Sequence, residues 1–291
     1  MGKKVWKKRL NDLTVKEWAA FQKSWFTLTP PPRSKAKTLH PAPFPEELAV
    51  EFIRFFTRKG MWVLDPMVGS GTTLVACALT GRNGIGIELN KFWAEIAERR
   101  LDEVRSLLDE ESEKTEQRII VADAREIDKI EMPPIDYVIT SPPYWDILRT
   151  EGKIETLSKH QRKRQEKNLP LYYSDDPRDL GNIGDYDQFL AELTTIYCKV
   201  SEKMRSGAYM TIIVRNVKKE GKLYPLAWDL AKKLSEFLEL RDEKIWCQTE
   251  KKKDHRRLRV SPYLVQHPDA PLLPHPKKAL KSEDCSRPLR G

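Results

Sequence analysis

Short apolar runs alternating with helical patterns constrain this chain more than any other feature. The runs Met61–Leu64, Ile85–Ile87, Ile119–Val121 and Tyr137–Thr140 each have the length of a strand. Helical patterns separate the first three, over Thr72–Leu79 and from Lys91 to about Leu108. Strands that alternate with helices close right-handed crossovers onto a parallel sheet. After Thr140 the rhythm stops, and residues 146–184 are polar, basic and short of apolar periodicity. It resumes with a helix over Tyr186–Met204, a strand over Tyr209–Val214, a helix over Tyr224–Phe237 and a strand over Lys244–Thr249. The pattern predicts a Rossmann-like α/β fold with a doubly wound, mostly parallel sheet and a basic insertion near its middle. Ligands of such sheets bind at the carboxyl ends of the strands, around the point where strand order reverses.

The flanks carry their own signals. Leu13–Phe26 reads as an amphipathic helix carrying Trp18, Phe21 and Trp25. "TPPPRSK" from Thr29 reads as a linker, because three prolines cannot continue a helix. A further helix is expected from near Pro45 to Gly60, with proline in its first turn and glycine past its end. Pro268, Pro271, Pro274 and Pro276 exclude a central strand, since each lacks a ladder donor. An irregular, disordered or PPII-like tail is therefore expected over 266–291. The sheet is expected to lack the strand that would follow Lys244–Thr249. The organisation so read is a basic helical extension over 1–38, the α/β domain over 39–265 with its 146–184 insertion, and the tail.

Charge narrows the partners. Lysine plus arginine number 52 against 43 acids, a net charge of +9 over 291 residues. The basic residues cluster in "KKVWKKR", in "KHQRKRQEK" from Lys159 and in "KKKDHRRLR" from Lys251, a footprint that suits a polyanion. Four cysteines without a C-x-x-C pair and five histidines without ligand spacing offer no metal site. No run of eighteen apolar residues suggests a membrane span. No apolar signal core follows the basic N-terminus, so a cytoplasmic place is expected.

The stretch "VLDPMVGSGTT", Val63 to Thr73, ends a strand at an acid and turns on Gly69 and Gly71 before a helix that starts at Thr72 and Thr73. It lacks the Lys-Ser/Thr pair of a P-loop and the full G-x-G-x-x-G fingerprint. A carboxylate at Asp65 would repel a pyrophosphate and favours a cationic ligand end. S-adenosylmethionine, with its ammonium and sulfonium, meets that demand. "GIGIELN" puts Glu88 at the tip of the second strand, where a carboxylate can accept both ribose hydroxyls. "VADA" puts Asp123 after the third strand, within reach of an adenine amino group. Any one of these acids alone reads equally as a helix cap or a surface charge; three at successive strand tips around one glycine turn read as a site.

"TSPPYWD", Thr140 to Asp146, stands at the tip of the fourth strand. Pro142 and Pro143 fix the backbone direction there. An exocyclic amine on a base is a poor nucleophile because its lone pair is delocalised into the ring. The Ser141 hydroxyl and the Pro142 carbonyl are candidate acceptors for its two hydrogens, which would turn the lone pair towards a methyl donor. Tyr144 is a candidate stacking surface for a base taken out of the duplex. Trp145 reads equally as pocket lining or core.

With both motifs in hand, the chain resembles the amino-directed DNA methyltransferases, which make N4-methylcytosine or N6-methyladenine. The likeness rests on "DPMVGSGTT" followed by "SPPY", preceded by "HPAPFP" at His40–Pro45. That order is the gamma arrangement of the family, and the likeness runs from about Leu39 to Thr249. It implies a class I methyltransferase fold and S-adenosylmethionine as cofactor. It also implies that Phe44, Asp65, Pro66, Gly69, Gly71, Thr72, Thr73, Glu88 and Asp123 bind the cofactor. Ser141, Pro142, Pro143 and Tyr144 would form the catalytic pocket. Met67 stands where the family commonly has Phe. The implied substrate is double-stranded DNA with a flipped base, N4 of cytosine favoured over N6 of adenine, with direct in-line transfer and no metal. The 146–184 insertion is the candidate for target recognition. A cognate restriction endonuclease is a candidate partner, and a monomer or dimer in a prokaryotic cell or its virus is expected. The rival readings are an RNA or protein methyltransferase and a non-catalytic DNA-binding remnant.

Overall fold

In the computed structural model, residues 10–28, 39–40, 44–108, 115–148, 159–249 and 258–267 are described. The strands are β1 (Trp25–Thr27), β2 (Trp62–Asp65), β3 (Asn83–Glu88), β4 (Gln117–Val121), β5 (Ile135–Thr140), β6 (Met204–Ile213), β7 (Val217–Lys219), β8 (Lys222–Tyr224), β9 (Glu239–Thr249) and β10 (Leu258–His267). The helices are α1 (Val15–Phe21), α2 (Glu46–Phe56), α3 (Thr72–Thr80), α4 (Lys91–Arg105), α5 (Lys159–Gln165), α6 (Tyr186–Lys203) and α7 (Leu226–Leu234). One sheet runs in the order β1-β9-β10-β6-β5-β2-β3-β4, and β7 pairs with β8 in a separate hairpin. Pairing is parallel from β6 through β5, β2 and β3 to β4, and antiparallel on both sides of β10. Among the described residues no helix is long and apolar enough to cross a membrane.

Both faces of the sheet are covered, and the period of two along each strand divides the core. Val63, Tyr137, Ile139 and Ile213 face α2, where Leu48, Ala49, Phe52, Ile53 and Phe56 repeat at helical spacing. Their neighbours Leu64, Val138 and Ile212 face the other way, onto Phe189, Leu193, Ile196 and Val200 of α6 and Leu230 and Leu234 of α7. A parallel strand buried on both faces needs the near-continuous apolar run seen in the sequence.

Three expectations are corrected. The helix expected over Leu13–Phe26 ends at Phe21, and Trp25–Thr27 turns into β1, which runs parallel to Ile245–Cys247 of β9. Lys244 ends the helix. Its buried ammonium takes the carbonyls of Phe21 at 2.8 Å and Lys23 at 3.1 Å, and the Ile245 N–H donates to Ser24 at 2.7 Å. Phe21 stacks on Phe55 at 4.1 Å, so the segment from Val15 to Thr27 is built into the α/β body and is not a separate extension. The helix begun near Pro45 stops at Phe56, four residues before Gly60. Thr57 is already extended, and Gly60, at φ 77°, serves the turn into β2.

The third correction concerns the sheet. It is not missing a strand beside β9, because β10 fills that place over Leu258–His267. The four prolines that argued against a strand begin at Pro268, one residue after β10 ends. Pro262, inside β10, lies one residue outside the pairing with β6, where one side of the strand has no ladder to complete. The tail beyond His267 lies outside the described residues.

Candidate active site

Strand order reverses between β2 and β5: the chain steps outward from β2 to β3 and β4, then from β5 the other way to β6. The glycine turn follows β2 and the S-P-P-Y turn follows β5, so both stand at the crevice where such folds bind ligands.

The glycine turn is held from within and from behind. Gly71, at φ 82°, caps α3, and a Cβ there would lie 2.7 Å from that of Ala97. Gly69, at φ 53°, leaves room for His40, whose Nε2 a Cβ would meet at 2.9 Å. Both positions therefore exclude a side chain by conformation and by space. Asp65 is buried beneath the turn. Its carboxylate accepts the Thr73 hydroxyl at 2.6 Å and the Met67 N–H at 3.1 Å, and burial pushes its pKa up to about 6. From behind, Arg100 of α4 donates to the Ser70 carbonyl and pairs with Glu46 of α2. Burial lowers the Arg100 pKa to about 10.

In front of the turn is a partly open pocket. Phe44, Pro66, Gly69, Thr72, Glu88, Asp123, Ser141 and Pro143 line it, as do Met67 and Val68. Asp65, Gly71, Thr73, Pro142 and Tyr144 do not. Asp65, Gly71 and Thr73 shape the turn instead.

Glu88 joins two loops. Its Oε2 accepts the Gly69 N–H and its Oε1 the Asn90 N–H, both at 2.9 Å. An ionised carboxylate has about four acceptor positions, so room remains for ligand hydroxyls. Burial raises its pKa to about 7 despite those two donors. Asp123 is more occupied. It caps the short helix that follows β4 by accepting the Arg125 N–H at 2.9 Å, and it pairs with the Arg125 guanidinium at 3.1 Å.

One wall of the cavity was not legible in the sequence. Tyr173, Ser174, Arg178, Asp179 and Leu180 come from the end of the insertion expected to read DNA, so that part of it encloses the cofactor loop. Trp93 of α4 donates its indole N–H to the Tyr173 carbonyl at 2.8 Å, and His40 packs edge-on to Trp93 at 4.9 Å. Asp179 accepts from the Gly181 N–H and from the Ser174 hydroxyl, both at 2.8 Å. Arg164 of α5 ties the wall down. It is buried, and its guanidinium donates to the Leu39 carbonyl, to His40 at 3.3 Å and to Pro170 at 2.8 Å. It is thus a structural bolt between the insertion and the segment before the glycine turn, while its neighbours Arg162 and Lys163 are exposed.

The S-P-P-Y turn shows a short hydroxyl relay. Ser141 Oγ lies 3.0 Å from the Tyr144 hydroxyl and donates to the Ile213 carbonyl at 3.2 Å. With its proton on that carbonyl, Ser141 can accept from Tyr144 and still offer one lone pair to the cavity. Burial raises the Tyr144 pKa, which keeps the phenol protonated. The Arg215 guanidinium covers one face of the Tyr144 ring at 5.4 Å. Trp145 belongs to the core. It is buried against Tyr186 at 5.2 Å and Tyr224 at 4.7 Å, in a left-handed conformation at φ 58° that a bulky residue adopts only under tertiary constraint.

Residues 2–99, which hold the glycine turn, Glu88 and Trp93, match the DNA methylase family. The match covers about a third of the chain. The chain is similar to the type II methyltransferase M.MthZI of Methanothermobacter thermautotrophicus. The two are 44% identical over 69 residues, which is 24% of this chain and 19% of the relative. The orphan methyltransferase M.BamHII of Bacillus amyloliquefaciens is 47% identical over 62 residues, 21% of this chain and 23% of that one. The match thus spans about a fifth of the length of these relatives. Among solved structures, a SAM-dependent methyltransferase from Methanosarcina mazei superposes with a TM-score of 0.43 at 10% identity, over 74% of this chain and 95% of that one.

Proposed function

We propose that this chain transfers a methyl group from S-adenosylmethionine to an exocyclic amino group of a base in double-stranded DNA. One observation carries the reading: the glycine turn after β2 and the S-P-P-Y turn after β5 open into a single pocket, so Gly69, Glu88 and Ser141 line the same space.

The cavity's chemistry suits that cofactor. Among the described residues its acids are Glu88, Asp123 and Asp179, and no lysine lines it. Of the two arginines described there, Arg125 pairs with Asp123 of the cavity itself and with Glu192, and Arg178 pairs with Asp176. With Asp123 offset by Arg125, Glu88 and Asp179 are the acids a cationic ligand end would meet, while the amino end of α3 can receive a carboxylate. Phe44, Pro66, Met67 and Trp93 supply apolar walls. Glu88 would hold the ribose hydroxyls, and the Gly69 turn would hold the methionine end. Bound there, S-adenosylmethionine supplies an activated methyl group on a sulfonium.

The chain's own work on the acceptor is positioning. Ser141 would take one hydrogen of the base amine on its free lone pair, and the Pro142 carbonyl the other. Both bonds turn the amine lone pair out of the ring plane and towards the donor. The base would be flipped from the duplex and stacked on Tyr144. Transfer would be direct and in line, the amine nitrogen bonding the methyl carbon as the carbon–sulfur bond breaks to leave a neutral thioether, with the extra amine proton released to water. The rate gain comes from orientation and from excluding water around the sulfonium. Ser141 ahead of Pro-Pro-Tyr favours N4 of cytosine over N6 of adenine by resemblance to the family. A cognate restriction endonuclease is the natural partner for such an activity.

The test is to incubate the protein with methyl-labelled donor and, separately, duplex DNA, RNA and protein. Label in DNA supports the reading. Label in RNA or protein alone transfers the activity to another substrate class, and no label in any of the three leaves a DNA-binding remnant.

A further inference from the structure

The hairpin β7–β8 begins four residues beyond the end of β6, close to the S-P-P-Y turn. Its register pairs Val217 with Tyr224, Lys218 with Leu223 and Lys219 with Lys222. The two turn residues, Glu220 and Gly221, are both left-handed at φ 51° and 80°, which suits a two-residue hairpin loop. Side chains alternate between faces along a strand, and directly paired residues share a face. Val217, Lys219, Lys222 and Tyr224 therefore form one face, and Lys218 and Leu223 form the other.

The first face is fixed to the catalytic turn. Val217 is buried, and the Tyr224 ring lies 4.7 Å from that of Trp145. Lys219 sits 4.5 Å above the Trp145 ring and pairs with Asp146 at 2.6 Å. The second face is open: Lys218 is exposed, and Leu223 is 61% exposed. A single exposed leucine is ordinary on a protein surface. This one is set apart by its setting, beside a lysine, on a hairpin that grips the two residues after Tyr144. Among the described residues neither Lys218 nor Arg215 makes an ion pair or hydrogen bond, and Arg215 lies over the Tyr144 ring.

We propose that the Lys218–Leu223 face engages duplex DNA beside the target base, with Leu223 entering the base stack as an apolar wedge and Lys218 taking a phosphate. Extrusion of a base needs something to unstack its neighbours, and apolar side chains inserted between base steps do this in other DNA-bending proteins. A wedge carried on the same rigid unit as Ser141 and Tyr144 couples the opening of the duplex to the pocket that receives the base. This inference rests on the DNA reading above, and it gives the hairpin a contact with duplex that the sequence had placed in the insertion.

The experiment compares methyl transfer into native and heat-denatured DNA of mixed sequence, from cells lacking the modification. The variants are Leu223→Ala and Lys218→Ala, first checked for wild-type melting and wild-type affinity for S-adenosylhomocysteine. Leu223→Ala is expected to lower the ratio of duplex to denatured rates at least about tenfold, because a denatured strand needs no wedge. A protein that accepts only duplex is judged on the duplex rate alone. Lys218→Ala is expected to reduce the salt slope of binding to a mixed-sequence duplex by about one unit. An unmoved ratio and slope, with transfer by the wild type intact, overturn the hairpin's role. Absence of transfer by the wild type into either form overturns the DNA reading itself.

Discussion

The Glu88 carboxylate accepts the Gly69 N–H at 2.9 Å, which joins the tip of β3 to the glycine turn after β2. An ionised Glu88 is the form that can accept ligand hydroxyls, and burial sets its pKa at about 7. Ligand binding and ionisation are then linked. Affinity for S-adenosylhomocysteine is expected to be full above pH 7 and to weaken as pH falls through it, by about tenfold between pH 8 and pH 6. Glu88→Gln should bind at least about tenfold more weakly at pH 8 and lose the pH dependence. Calorimetry at the two pH values checks both; a flat wild-type profile would remove Glu88 from ribose binding.

Asp65 makes a different prediction because it lies under the turn and outside the cavity. Asp65→Ala strands the Met67 N–H and the Thr73 hydroxyl, at a cost of about 2–4 kcal/mol in stability. Its pKa is raised from 3.8 to about 6 on folding, so the folded state holds the proton over that interval. The stability Asp65 contributes is thus complete below the unfolded value and declines as pH rises through the folded one. Asp65→Asn should therefore gain on the wild type by about 2–3 kcal/mol between pH 3.5 and pH 7.5. Chemical denaturation at both pH values would show it, and a constant difference would contradict the buried, loop-bracing role.

Ser141 and Tyr144 touch each other at 3.0 Å, and only Ser141 lines the cavity. Ser141→Ala and Tyr144→Ala are expected to keep S-adenosylhomocysteine affinity within about twofold and to lose at least about a hundredfold in turnover. Tyr144→Phe, which keeps the ring and removes only the relay hydroxyl, should retain more activity than Tyr144→Ala. Equal loss in the two Tyr144 variants would assign the effect to the hydroxyl and not to stacking.

The basic run around Lys159 divides by burial. Arg162 and Lys163 are exposed, and replacing both by alanine should reduce the salt slope of DNA binding by up to about two units. Arg164→Ala should instead lower stability by about 2–4 kcal/mol, since it abandons carbonyls of Leu39, His40 and Pro170. Melting curves together with salt titrations separate the two effects.

What the sequence made legible, and what it hid, follows from the range of the signals. The βα rhythm, the glycine turn and the acids at the strand tips are local patterns, and each stands where it was expected. The cavity wall from Tyr173 to Leu180 depends on Arg164 reaching Leu39 and on Trp93 reaching Tyr173, contacts between distant segments that leave no periodic trace. "HPAPFP" and "NKFWAEI" did hold the missed residues His40 and Trp93, and an aromatic beside a strand-tip acid was the available clue. Asp65 looked like a ligand contact because an acid after a strand is read the same way whether it faces the cavity or the turn beneath. β10 is hidden in the sequence because prolines crowd the chain from Pro268 on, while the run that begins at Leu258 follows a basic segment that reads as loop.

The central claim is methyl transfer to a base amine in DNA. Its most direct test is nucleoside mass spectrometry of unmodified genomic DNA after incubation with S-adenosylmethionine and either the wild-type protein or Ser141→Ala. The account predicts N4-methylcytosine with the wild type and at least about a hundredfold less with the variant. N6-methyladenine in its place would correct the target base, and DNA left without any methylated amine by the wild type would contradict the account.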